Sequence, residues 1–449
     1  MTISCYNHEF HTLIFSSFLF YFKHLKSFQT VEEINNSLSN TNFHILFISY
    51  DGMTDPLGQS QVIPYLKGLS KHGYKIFLLS CEKKEAYALN KNSISSILKE
   101  ASIHWHPLSY TKKPPVLSTL IDVMKLKNAA ASIHHTHKID MVHTRPGIPA
   151  LVGMWMKKKY NIKFLNDIRE FYADSRVDAG IWNRKNALYN SIYQYFKKKE
   201  EEQVRISDGI VCLTHAASAI IQQWPSYHHS VPIAVIPCSV DLQLFDETSL
   251  DQQQRETLKK EHGIQPTDMV VTYLGSIGGW YLTAEMMQFC KQLLDHYSNA
   301  KFLFISPHLH HHIISTAAQY GIPGNKIIAV KGNRPQIPLL LSLSDYSIFF
   351  IKPCYSKLSS SPTKHGELMA MGIPVISNSG VGDVKEIITK YNGGFVIDDF
   401  TPASFKQVID QIGNVPFKKE EIRAGAFDFY SLDHAIESYI TLYKKVLLP

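Results

Sequence analysis

The chain lacks the usual marks of a secreted or metal-holding protein. Its 449 residues include six cysteines, Cys5, Cys81, Cys212, Cys238, Cys290 and Cys354, and no two of them form a C-x-x-C pair. That spacing suggests neither a thiolate zinc site nor a disulfide framework, and reduced intracellular thiols are the expectation. Residues 12–22, TLIFSSFLFYF, make an apolar run shorter than the roughly 20 residues a bilayer requires. The run also lacks a positive leader and a small-residue cleavage site, so a signal peptide is not expected. Residues 1–41 are set apart as an extension with three open readings: a docking helix, an interfacial anchor or translated sequence upstream of the natural start. No internal repeat is evident, which excludes solenoid and propeller architectures. A basic arm is missing too. The 46 Lys and Arg exceed the 39 Asp and Glu by only seven, without a block that would grip nucleic acid. An anionic small ligand or a membrane surface fits that balance, and nucleic acid is not an expected partner.

What is present is a double series of buried strands. HILFISY (44–50), YKIFLLSC (74–81), DMVHTR (140–145), IKFLNDI (162–168), GIVCLT (209–214) and IAVIPCSVDLQLF (233–245) alternate with helical stretches. One of these stretches is a helix from about Val62 to His72. Continuous apolar runs of this kind imply parallel sheets covered on both faces. A polar linker with a surface helix, DETSLDQQQRETLKKEHG (246–263), separates them from MVVTYLGS, KFLFISP, KIIAV, YSIFFI, IPVISN and GGFVI. Such a restart is what two Rossmann-like, doubly wound α/β domains produce. The expected boundaries are 42–245 and 246–428. A last amphipathic segment, 429–449, is free to pack back onto the first domain. Ligands in these folds sit at the carboxyl ends of strands, so the cleft between the domains is the expected site.

One stretch in that cleft raises a question of charge. In SSSPTKHGELMAMGIPVISNSGVGDVKE (359–386), Ser361 then Pro362 reads as an N-cap with proline at the first helical position, and Gly372 and Pro374 read as the stop. Lys364 then stands in the first turn, where the helix dipole favours anions. A solvated lysine is one reading. The other is a phosphate docked on the helix start together with Lys364. Glu367, three residues further on, shares that helix face and suits a pair of ribose hydroxyls. Together they describe a sugar nucleotide.

This segment, with VIPCSVDLQLF, VTYLGSIGGWY and DPLGQSQVIPYL, resembles the retaining glycosyltransferases of the two-domain GT-B fold, specifically glycosyltransferase family 4, also called group 1. The resemblance covers roughly residues 42–449. It implies transfer of a sugar from a UDP- or GDP-sugar to a hydroxyl of a saccharide or lipid-linked saccharide. Transfer would proceed with retention and without a metal or other cofactor. Unlike a retaining glycosidase with its paired carboxylates, such an enzyme lets the departing diphosphate oxygen take the acceptor's proton. Carried over residue by residue, Glu367 falls on the ribose and Lys364 on the diphosphate. Gly275, Ser276 and Gly278 form a loop that admits phosphate close to the backbone. Lys331, Asn333 and Arg334 lie near the base, Thr363 beside Lys364, and Gly382 and Asp383 close the turn after IPVIS. Asp383 is equally readable as an N-cap for the following helix. Gly58, Gln59 and Gln61 stand in the acceptor-side loop.

Three positions depart from the family pattern. Ser359 stands where the motif has a first glutamate, eight residues before Glu367. The loop GSIGGWY has no basic pair. Asp167 and Arg169, in NDIREFYADSR, occupy the place of a histidine near the reacting sugar, with a loop-holding ion pair as the plainer reading. His308, His310, His311 and His312, like His134, His135 and His137, lack nearby Cys or carboxylate ligands and are not expected to bind metal. The lysine runs in MKKKY and FKKKEEE read as solvated helix faces that could also meet an anionic bilayer. The expectation is a cytoplasmic transferase at the inner face of the membrane, serving cell-surface polysaccharide synthesis. The rival readings are a non-catalytic partner of the same fold and a sugar-nucleotide epimerase.

Overall fold

The structure, a computed structural model, describes residues 43–114, 116–307 and 310–448. The readings for residues 1–41, and His308, lie outside the described residues. Seven strands form the first sheet: β1 His44–Ser49, β2 Lys75–Glu82, β3 His104–Ser109, β4 Met141–Arg145, β5 Lys163–Ile168, β6 Gly209–Cys212 and β7 Ile233–Val235. Six form the second: β8 Met269–Leu274, β9 Ala300–Ile305, β10 Ile327–Val330, β11 Tyr346–Phe349, β12 Val375–Asn378 and β13 Gly394–Ile397. The orders are β3-β2-β1-β4-β5-β6-β7 and β10-β9-β8-β11-β12-β13. Every pairing between these strands is parallel.

Each sheet turns back on itself beside its first strand, between β1 and β4 in one domain and between β8 and β11 in the other. Register places Ile45 opposite Ile76 on one side and opposite Met141 on the other. The strand ends at these switch points leave a crevice where ligands dock. Helices cover both faces, and the cores are correspondingly dry: Ile45, Leu46 and Ile48 of β1 have no exposed surface.

β3 has no counterpart among the strands expected from sequence. Its HWHPLS is polar and contains Pro107, and among the described residues it pairs only with β2. An edge strand carries neither a two-sided apolar burden nor a full set of ladder bonds, so it tolerates such residues.

The acceptor-side loop expected to carry Gly58, Gln59 and Gln61 also differs. Pro56–Gln61 forms a short helix ahead of Ile63–Lys71, started by Pro56 in its first turn and by the Gln59 N–H bonded to Asp55 O at 3.1 Å.

The last helix, Leu432–Leu447, leaves the second domain and buries Tyr439, Leu442, Tyr443 and Val446 among first-domain core residues. Its anchor is polar. Tyr439 Oη donates to Asp167 Oδ2 at 2.9 Å, inside a buried pair in which Arg169 Nε and Nη2 lie 2.7 and 2.8 Å from the two carboxylate oxygens. Among the described residues no helix is long and apolar enough to cross a membrane.

Candidate active site: the cleft between two switch points

On the second-domain side of the cleft, Lys364 follows Thr363 and packs on Tyr281, two residues that line the interdomain cavity, without itself being part of that lining. Its helix spans Thr363–Ala370, and Pro362 takes the cap position. Ser361, expected as the cap, instead accepts a hydrogen bond from the Cys238 N–H of the first domain at 3.3 Å. Lys364 is 7% exposed. Its Nζ lies 3.7 Å from the ring centroid of Tyr281 and 4.4 Å from that of Tyr273, and it donates to Tyr273 Oη at 3.4 Å. Gly275 is required opposite: a Cβ there would stand 2.9 Å from the ammonium, at a φ of +123°. Burial pushes the lysine's pKa down to about 7, against the upward pull of Glu367.

Glu367 is 5% exposed and pairs with Arg334, whose guanidinium stacks 4.8 Å over Phe245. Burial raises its pKa, and Arg334 offsets part of the rise. Lys364 and Glu367, one turn apart on a single helix, are thus brought together with Gly275 and Arg334 from two other segments. Ser276 is exposed beside them, Gly278 N–H is held by Thr283 Oγ1 at 3.1 Å, and Asn333 N–H is held by Gln336 Oε1 at 3.0 Å. Lys331 is placed apart from this group, against the Gln252–Glu261 helix, in a separate surface cavity.

A cavity of about 430 Å³ lies between the domains. It is lined by Asp51, Arg145, Arg169, Glu170 and Arg176 from the first domain and by Trp280, Tyr281, Lys357 and Thr363 from the second. Four of these side chains are cationic and two anionic, which suits an anion between the walls. The loop that carries Asp51 is held from below by Glu82, a buried carboxylate that accepts from Met53 N at 2.7 Å and Thr54 N at 3.1 Å.

Sequence reasoning reached Arg169 but missed Arg145, Glu170, Trp280, Tyr281 and Lys357. The signal for two of them was visible: WY closing a glycine-rich loop is a bulky pair where the neighbours have no side chains.

Several expected site residues face elsewhere. Asp167 has no exposed surface. Burial opposes its charge, but Arg169 and His143 hold its pKa well below the usual carboxylate range, so the loop-holding pair describes its position. Gln61 is fully buried, and its Nε2 donates to Ser239 O at 3.0 Å. Gln59 is exposed on another groove, and Gly58 packs so tightly that a Cβ would stand 2.2 Å from Gly52 O.

Ser359 has no exposed surface and faces the first domain. Its hydroxyl accepts from Phe171 N at 3.2 Å and donates to Ser356 O at 2.7 Å. Asp383 does not cap its own helix. Its carboxylate accepts from His215 N at 2.6 Å and Ala216 N at 3.0 Å, capping the first-domain helix His215–Gln222 across the interface. Caps of this kind are worth about 1 kcal/mol, here spent on holding two domains together. Gly382 lies beside it, where a Cβ would meet Ser360 O at 2.1 Å.

Among the described residues no group of three or more His, Cys, Asp or Glu is placed to hold a metal.

Two parallel sheets with facing switch points and a shared cleft make this a GT-B fold. Residues 254–426, within the second domain, match the family described as glycosyl transferases group 1. A search of curated proteins finds no match. Among solved structures, the chain is similar to a glycosyltransferase from Rickettsia africae, at 17% identity over 91% of this chain and 99% of that one with a TM-score of 0.67. It is also similar to a sucrose-phosphate synthase from Thermosynechococcus elongatus, at 13% identity, 90% and 99% coverage and a TM-score of 0.66. A third likeness is to the Anabaena protein HepE in complex with UDP-glucose, at 12% identity, 89% and 100% coverage and a TM-score of 0.63. Identities this low carry the fold alone.

Proposed function

We propose that the chain is a retaining glycosyltransferase of family 4 that moves a sugar from a UDP- or GDP-sugar to a hydroxyl of a saccharide or lipid-linked saccharide, in cell-surface polysaccharide synthesis. The observation that carries this is Lys364: a desolvated ammonium with no ion-pair partner among the described residues, held by aromatic faces beside Gly275 and one turn from Glu367. A buried, unpaired cation is costly, and a diphosphate would relieve the cost. Glu367 would take the ribose through the carboxylate oxygen that Arg334 leaves open.

In the reaction the acceptor oxygen bonds to the anomeric carbon as the bond from that carbon to the diphosphate breaks. The acceptor proton passes to the departing phosphate oxygen on the same face. Lysine and arginine cations stabilise the charge that develops there, with no metal assigned to the task.

The test is thermal stability against UDP, GDP, ADP, CMP and their sugars, followed by turnover and the anomeric configuration of the product. A ligand at about a hundred times its dissociation constant adds roughly 2.7 kcal/mol. Stabilisation by one nucleotide family with an axial-to-axial or equatorial-to-equatorial product supports the reading. No response to any nucleotide moves the non-catalytic partner to the front, and an inverted product removes retention.

The proposal places the enzyme in the cytoplasm, against the inner face of the membrane. Support for the membrane contact comes from a different place than the lysine runs. Lys157 pairs with Asp208, Lys158 and Lys199 with Glu202, and Lys197 with Asp174, so much of that charge is neutralised. The helix Leu117–His137 opens instead with Leu117, Leu120, Ile121 and Met124 exposed by 52, 56, 37 and 64%, beside exposed Lys112 and Lys113. An apolar stripe with a lysine rim fits an anionic bilayer, each lysine adding about 1 kcal/mol. The wild type is expected to sediment with phosphatidylglycerol vesicles and L120D/M124D to stay in solution. Equal sedimentation of the two removes the contact.

A further inference from the structure

The loop Gly275–Tyr281 ends in two adjacent aromatic rings, and each carries a lysine. Lys364 Nζ lies 3.7 Å from the Tyr281 centroid, and Lys357 Nζ lies 3.7 Å from the Trp280 centroid. Both lysines come from one stretch of chain. Lys357 stands in the 3-10 turn Tyr355–Ser359, and Lys364 in the first turn of the helix that follows.

The rings are held by backbone. Lys352 N–H donates to Trp280 O at 2.9 Å, and Leu282 N–H donates to Phe350 O at 3.0 Å, so the loop end is fixed along the extension of β11. Lys357 lines the interdomain cavity together with Trp280, Tyr281 and Thr363. The carboxylate that acts on it most is Glu170 of the facing domain, which pairs with Arg176 at 3.6 Å instead. Burial lowers the lysine's pKa, and the pull of Glu170 and Asp178 offsets only part of that, so it too is a cation partly stripped of water.

We infer that Trp280 and Tyr281 form a two-ring clamp that presents Lys357 and Lys364 as a pair of cations to a diphosphate, with Lys357 the second diphosphate-binding residue. This rests on the donor-site reading and deepens it. The ring faces hold each ammonium by its attraction to the π-cloud without neutralising it, which leaves both charges for the ligand. Two such charges held against one loop match a ligand with negative charge on two phosphate groups. A monophosphate would use only one. Sequence reading found no basic residue in the loop itself, and the tertiary structure supplies one to it from the 3-10 turn.

Calorimetric titration of the full chain with inorganic pyrophosphate, UDP and uridine tests the clamp, with the wild type beside Lys357→Gln, Lys357→Arg and Trp280→Leu. The expected result is about a tenfold loss of pyrophosphate and UDP affinity in K357Q, with uridine unaffected and affinity largely recovered in K357R. W280L should lose affinity as well, although every charge is intact. The clamp is overturned if the wild type binds no pyrophosphate, if K357Q binds it as the wild type does, or if W280L is silent. Pyrophosphate binding without nucleotide binding leaves the clamp standing and removes the donor reading. Thermal melts of all three variants confirm that they are folded.

Discussion

Lys364→Met is expected to lower kcat/KM for the nucleotide sugar by about 10 to 200-fold, the equivalent of one charge-assisted hydrogen bond, while the unliganded protein keeps or raises its Tm. The two effects have opposite signs for one reason. The ammonium sits among Tyr273, Tyr281 and Phe349, where water is excluded, so the free protein bears the cost of a desolvated charge. An unbranched apolar side chain fills the same space without that cost.

The pH dependence follows from the same position. The folded pKa of about 7 lies below the ordinary 10.5. Between those values the unfolded chain holds a proton that the folded chain has released, so this group's contribution to stability rises with pH across that window and is least favourable below about 7. An anion binds the protonated form. Donor affinity should therefore fall by up to about tenfold per pH unit above about 7, and the slope should vanish in K364M. A wild-type UDP affinity that stays flat from about pH 6 to about pH 9 would falsify the assignment of Lys364 to the diphosphate.

Glu367→Ala is expected to cost the same order in donor affinity, about 10 to 200-fold, and little in stability. The stability effect is small because Arg334 has a side chain 41% exposed; once its partner is removed it can turn to solvent, and a pair so open is worth little. Binding suffers more, since a buried acceptor for ribose hydroxyls is lost. Comparing UDP with 2′-deoxy-UDP separates a ribose contact from general damage. The wild type should bind the deoxy ligand more weakly, and the variant should no longer tell the two apart. If both proteins show the same deoxy penalty, Glu367 does not read the ribose.

How much of this was legible beforehand differs from element to element. The strand runs were, because a strand covered on both faces must be apolar along its length: HILFISY and MVVTYLGS could be placed without a partner in view. β3 was not, because an edge strand with Pro107 carries no such requirement. The Lys364 and Glu367 pair was legible from spacing alone, since three residues on a helix return to one face. Asp383 was legible as a capping residue, but not as the cap of a helix from another domain. Ser361 was read as a cap, yet its hydroxyl turns to Cys238. In both cases the local pattern named the chemistry of the side chain, and a long-range contact chose its partner.

The sequence by itself therefore determined two series of parallel strands alternating with helices and a lysine at a helix start, because each follows from periodicity and local backbone preference. Only the tertiary structure decided the surroundings of that lysine. The Tyr273 and Tyr281 faces, Lys357 over Trp280, Arg334 on Glu367 and the Tyr439 anchor on Asp167 join residues from about 30 to 270 positions apart. No local rule links such residues; burial brings them together, and at short range their charges set one another's behaviour.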